Sequence, residues 1–119
     1  MANNILLKYP KNWGLNEDLV RDLTNKALKL KKLDEVEVSI SFVGRARAKE
    51  LNIQYRNKDY IPQVLGFPMD KTKSEDGLIH LGDIVICTQK LKYEVIFQKS
   101  SLEKVLESWL LHGVENLLM

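Results

Sequence analysis

Cysteine is nearly absent from this chain. Cys87 stands alone among 119 residues, so no intramolecular disulfide can form and a cysteine-rich zinc site is excluded. A lone thiol fits a reducing compartment. Long apolar runs are missing too. None approaches the roughly 18 residues that a membrane helix needs. Met1 to Lys8 holds no stretch long enough for a secretory leader. The expectation is a cytoplasmic protein with no membrane partner. Charge of one sign is also lacking: 18 Lys and Arg against 16 Asp and Glu leave +2. That excludes nucleic-acid binding by bulk electrostatics, so any such binding needs a local patch. No internal repeat and no low-complexity segment is present.

What is there reads as one domain, residues 1–119, of alternating strands and helices. Asn4 to Tyr9 is a short apolar strand stopped by Pro10. Asn16 is a good helix cap, with Glu17 and Asp18 in the first turn, where carboxylates suit the helix dipole. Leu19, Leu23, Ala27 and Leu30 form the expected apolar stripe, and Lys29, Lys31 and Lys32 close the helix. Glu35 to Val43 alternates. Val36, Val38, Ile40 and Phe42 share one face, while Glu37, Ser39 and Ser41 share a wet one. Arg45 to Tyr55 returns to helical spacing, with Ala48, Leu51, Asn52 and Tyr55 on one side. Val64 to Phe67 and Leu78 to Cys87 are further strands, and Thr88 is the expected cap of a helix reaching Glu94 or Phe97.

Ser100 and Glu103 have the spacing of a capping box, opening a helix that runs to the end of the chain. Leu102, Val105, Leu106, Trp109, Leu110, Gly113 and Leu117 fall on its core face. Leu111, Val114 and Leu118 lie opposite, which makes the C-terminal half apolar nearly all round. That predicts a homodimer, or higher oligomer, built partly on residues 105–119. The whole order predicts an α+β fold: one four-stranded mixed sheet with helices packed on it. The helix over 16–32 is long enough for a crossover between parallel first and second strands.

Chemistry concentrates on the last helix. His112 and Asn116 are four apart, so their side chains stack one turn apart, the spacing of two ligands in helical zinc motifs. His112-Gly113-Val114-Glu115-Asn116-Leu117 resembles the H-G-x-x-H-L motif of the YbeY family of rRNA-maturation endoribonucleases, with Asn116 in the place of the second His. Met119 ends the chain where the motif's third His would follow. Leu51-Asn52-Ile53-Gln54-Tyr55-Arg56-Asn57-Lys58-Asp59 is similar to the family's L-N-x-x-Y-R-x-x-D. Val64-Leu65-Gly66-Phe67-Pro68 is similar to V-L-S-F-P, with Gly66 in the Ser position. Leu81-Gly82-Asp83-Ile84-Val85-Ile86 matches L-G-D-I-x-I. Pro62-Gln63 stands where the family has Thr followed by Asp or Asn.

The resemblance implies a cytosolic, zinc-linked endoribonuclease acting on rRNA and the small ribosomal subunit, with its metal helix at the C-terminus. It implies Arg56 as the substrate-binding and catalytic residue on the phosphate, and His112 as catalytic metal ligand. Asn116 is a poor second ligand. With one His of three, zinc binding is expected to be weak or absent and cleavage weak or lost. Glu115 beside His112 would favour Mg²⁺ or Mn²⁺. The alternative is a non-catalytic RNA- or ribosome-binding module that keeps the fold, or a shortened form of an active parent.

Each residue also has a plainer role. His112 can be a helix-edge His bonded to a neighbour, and Arg56 a surface Arg. Arg45, Arg47, Lys49 and Lys58 read as a solvated basic face. Trp109 and Phe97 read as core, and Cys87 as inert packing. Asp83 reads as a turn or supporting residue, and His80 as a residue that could swing into the depleted site.

Overall fold

The computed structural model describes residues 3–119. Strand β1 (Asn4–Lys8) is followed by helix α1 (Glu17–Leu30), β2 (Val36–Val43), α2 (Arg45–Arg56), β3 (Val64–Pro68), β4 (Ile79–Cys87), α3 (Thr88–Phe97) and α4 (Leu102–Leu117). The four strands form one sheet in the order β1-β2-β4-β3. β1 pairs parallel with β2, as the crossover length predicts, and β2 pairs parallel with β4. β3 runs antiparallel along the other edge of β4. The fold is therefore α+β with a mixed sheet.

Capping explains where the helices begin and end. The Asn16 side chain accepts from the Leu19 N–H at 3.1 Å, and Glu17 and Asp18 occupy the first turn of α1. The buried stripe of α1 is Val20, Leu23, Thr24, Ala27 and Leu28. It follows the three-and-four spacing of a helix face. Of the expected stripe, Leu23 and Ala27 are buried and Leu19 packs against the core, while Leu30, the last residue of the helix, is 61% exposed. Ser100 does not open α4. Lys99 takes the left-handed conformation (φ 52°), and the Ser100 N–H returns to the Val95 carbonyl at 3.2 Å. That closes α3 and uses Ser100 up. The cap of α4 is Ser101, whose Oγ accepts from the Lys104 N–H at 3.1 Å, so no capping box forms. Thr88 likewise lies inside the first turn of α3 rather than capping it, and Cys87 holds the cap position.

One irregularity sets the faces of β4. Glu37 pairs with His80 but Val38 pairs with Gly82, so Leu81 is an extra residue. Gly82 has φ 134°, and a Cβ there would meet the Phe67 carbonyl oxygen at 2.2 Å. Only glycine fits. Because the bulge resets the alternation, Leu81, Ile84 and Ile86 all join the main core, while His80 stays beside Glu37 on the other face.

The main core lies between the sheet and helices α1 and α4. Gly113 brings α4 close to the sheet, since a Cβ there would come within 2.9 Å of Ile84. A smaller cluster of Leu51, Leu65 and Val85 seats α2. Val114 is fully buried in the main core and Leu111 packs against it. α1 runs alongside α4, joined to it by the Lys26–Glu107 and Lys31–Glu115 pairs. Much of the apolar surface that suggested a dimer is thus covered within the chain, and Leu118 and Met119 remain exposed. Phe97, expected in the core, is 69% exposed and stacks on Tyr93. Tyr55, expected on the packed side of α2, is exposed and meets Phe67 edge-on.

Candidate functional site

A cleft of about 830 Å³ lies where the end of α2, the loop 57–63, β3 and α4 meet. Arg56, His112 and Asn116 all line it. The three residues singled out from the sequence are therefore brought together, along with Tyr60, Gln63 and Trp109.

The α2 wall is built around a buried amide. α2 ends at Arg56 because Asn57 turns left-handed (φ 55°), returning its N–H to the Ile53 carbonyl at 3.1 Å. The chain then doubles back, and Asn52, fully buried one turn before Arg56, bridges the two segments. Its Nδ2 donates to the Tyr60 carbonyl at 3.1 Å. Its Oδ1 accepts from Arg56 Nη1 at 3.3 Å, and the same Nη1 reaches the Tyr60 hydroxyl at 3.4 Å. No carboxylate among the described residues pairs with Arg56. Its neighbours differ. Arg47 pairs with Glu50, and Lys49 with Asp59 at 3.4 Å. An uncompensated guanidinium facing a cleft suits a phosphate, whose oxygens match its fork of donors.

The α4 wall is built differently. His112 is exposed and Asn116 half-buried, one turn apart. Neither side chain hydrogen-bonds to another described residue. Gly66 on β3 leaves the room that Asn116 fills, since a Cβ at Gly66 would stand 3.0 Å from the Asn116 Cβ.

The described lining does not by itself make up a catalytic zinc site. Such a site takes three protein ligands from imidazole, thiolate or carboxylate. This cleft offers one imidazole, two amides and no carboxylate. A ligating His is almost always oriented by a hydrogen bond on its other nitrogen, and His112 has no such partner among the described residues. Glu115 does not supply the missing carboxylate. It pairs with Lys31 at 2.8 Å, and that hydrogen bond and charge hold its carboxyl below the ordinary value.

The other histidine lies elsewhere. His80 Nδ1 is 2.7 Å from Glu37 Oε2, and its Nε2 is 3.2 Å from Asp76 Oδ2. These three are a candidate metal-binding group among the described residues, and none of them lines the cleft. His80 therefore does not substitute as a ligand beside His112. Asp83 is exposed and does not line the cleft. Cys87 is buried, and Trp109 is core with one edge on the cleft.

Sequence reasoning missed Asn52 and Tyr60. The available signal was a polar residue on the apolar side of α2, four before Arg56.

A family model described as "Endoribonuclease YbeY" matches residues 10–118. Endoribonuclease YbeY of Cellvibrio japonicus is 35% identical over 103 residues, covering 87% of this chain and 58% of that protein. The Mesoplasma florum protein of the same name is 32% identical over 112 residues, 91% of this chain and 64% of that one. The one from a Janthinobacterium species is 32% identical over 111 residues, 93% and 71%. This chain thus spans less than two-thirds of the length of the first two relatives. Among solved structures, that of TM1509 from Thermotoga maritima superposes with a TM-score of 0.62 at 25% identity, over 99% of this chain and 73% of that one.

Proposed function

The chain belongs to the YbeY endoribonuclease family, and on that premise we propose that it acts on ribosomal RNA during maturation, with Arg56 holding a phosphodiester in the cleft. The observation that carries this reading is the Arg56 guanidinium: it has no carboxylate partner among the described residues and lines the same cleft as His112. Charge-assisted bonds from a planar guanidinium hold a phosphate and stabilise charge that develops on it. His112 stands across the cleft as a single imidazole. The donors described in the cleft do not by themselves complete a metal site, so the reading rests on RNA binding through Arg56. The small ribosomal subunit is the partner this reading implies, and the cytoplasm its location. Self-association through residues 105–119 draws support only from exposed Leu118 and Met119.

The test is binding of an rRNA-derived oligonucleotide by fluorescence anisotropy, with cleavage followed on gels with and without added zinc. Binding that Arg56→Ala weakens about tenfold, the loss of one charge-assisted contact, is the expected result. No binding, or binding indifferent to Arg56, would refute the reading.

A further inference from the structure

We propose that Asn52 is a positioning residue for RNA binding. It fixes the Arg56 guanidinium before a phosphate arrives, and this rests on the reading of Arg56 given above. The amide is fully buried, yet both of its ends are satisfied by groups that line the cleft. A buried polar side chain persists where its partners are in place. Here the partners are the guanidinium one turn on and the carbonyl of Tyr60 in the returning loop. Four-residue spacing sets Asn52 and Arg56 on one helix face. The left-handed Asn57 then brings Tyr60 back over both.

The consequence lies in which donors remain. The hydrogen bonds to Asn52 and Tyr60 both fall on Nη1 of Arg56. Nε and Nη2 stay available for two phosphate oxygens. An arginine at a helix end is otherwise a freely rotating chain that must be ordered when ligand binds. Ordering it beforehand removes that cost from the binding step. The Tyr60 hydroxyl is a longer, exposed contact to the same nitrogen, so it is secondary.

A double-mutant cycle on RNA binding across a salt series tests this. Asn52→Ala is expected to weaken binding several-fold at an unchanged slope of log affinity against log salt, because Arg56 still reaches its phosphate, whereas Arg56→Ala lowers that slope by about one phosphate contact. The double variant with Arg56→Ala should bind no more weakly than Arg56→Ala alone. Tyr60→Phe should stay within about twofold of the parent, because the Asn52 bond remains. Additive losses, a salt slope in Asn52→Ala lowered as far as in Arg56→Ala, or a Tyr60→Phe loss equal to that of Asn52→Ala would each overturn the assignment while leaving Arg56 in place. If Arg56→Ala itself changes nothing, the functional reading falls and Asn52 falls with it. Should Asn52→Ala not fold, guanidinium nitrogen NMR of the parent protein decides. Slow rotation with two resolved Nη signals for Arg56 supports the lock, and an averaged signal like that of a free arginine rejects it.

Discussion

The two walls of the cleft are built on opposite principles. On the α2 side a buried amide uses both its ends to hold a guanidinium and a loop. On the α4 side an imidazole and an amide stand at ligand spacing with no hydrogen-bond partner among the described residues. One wall is organised before anything binds, and the other offers donors without the support that metal ligands normally have. The difference teaches that spacing on a helix is a weaker indication of a metal site than the groups behind it.

The comparison can be broken from beneath. Gly82→Ala puts a Cβ onto the Phe67 carbonyl, so β3, which both walls share, must move. A loss of about 3 kcal/mol or more is expected in denaturant titration, the range of strained-backbone and overpacking changes together. Gly113→Ala strikes the α4 wall alone by pressing on Ile84. It should lose about 2 kcal/mol in the same measurement, while the folded fraction keeps the RNA affinity of the parent.

The comparison can also be sharpened. His112→Ala should leave RNA affinity within about twofold, against the tenfold loss, about 1.4 kcal/mol, expected of Arg56→Ala. Equal losses would make the walls alike. The smallest effect concerns what holds α4 to α1. Lys31 keeps the Glu115 carboxyl below its ordinary value of 4.5. A carboxylate depressed in the folded state favours folding above its unfolded value, and that contribution fades as pH falls through 4.5 toward the folded value. The parent should therefore melt slightly above Glu115→Gln at neutral pH, and the gap should close in acid. The pair is exposed, so the gap is small.

Much of this was legible from residue order alone. The eight elements follow from alternation, helical spacing and breakers, and the parallel β1–β2 pair follows from the length of α1 between them. Motif position alone picks out Arg56, His112 and Asn116, which line one cleft. What local pattern could not carry was tertiary. Ser100 and Ser101 are equally good caps, and the choice is made by how α3 ends. The extra residue Leu81 in β4 decides that His80 faces Glu37, and nothing in the order Ile79-His80-Leu81-Gly82 states it. Val114 looked unpartnered because the path of α1 beside α4 is not written in either helix. Asn52 looked like one more residue on a helix face because its second partner is eight residues away, beyond a turn.

RNA affinity measured in EDTA and again with added zinc tests the central claim most directly. If the organised wall is the one that binds, the two affinities agree and His112→Ala changes neither. A tenfold or greater gain on adding zinc, abolished by His112→Ala, would show that the α4 wall completes a metal site after all and would contradict the account.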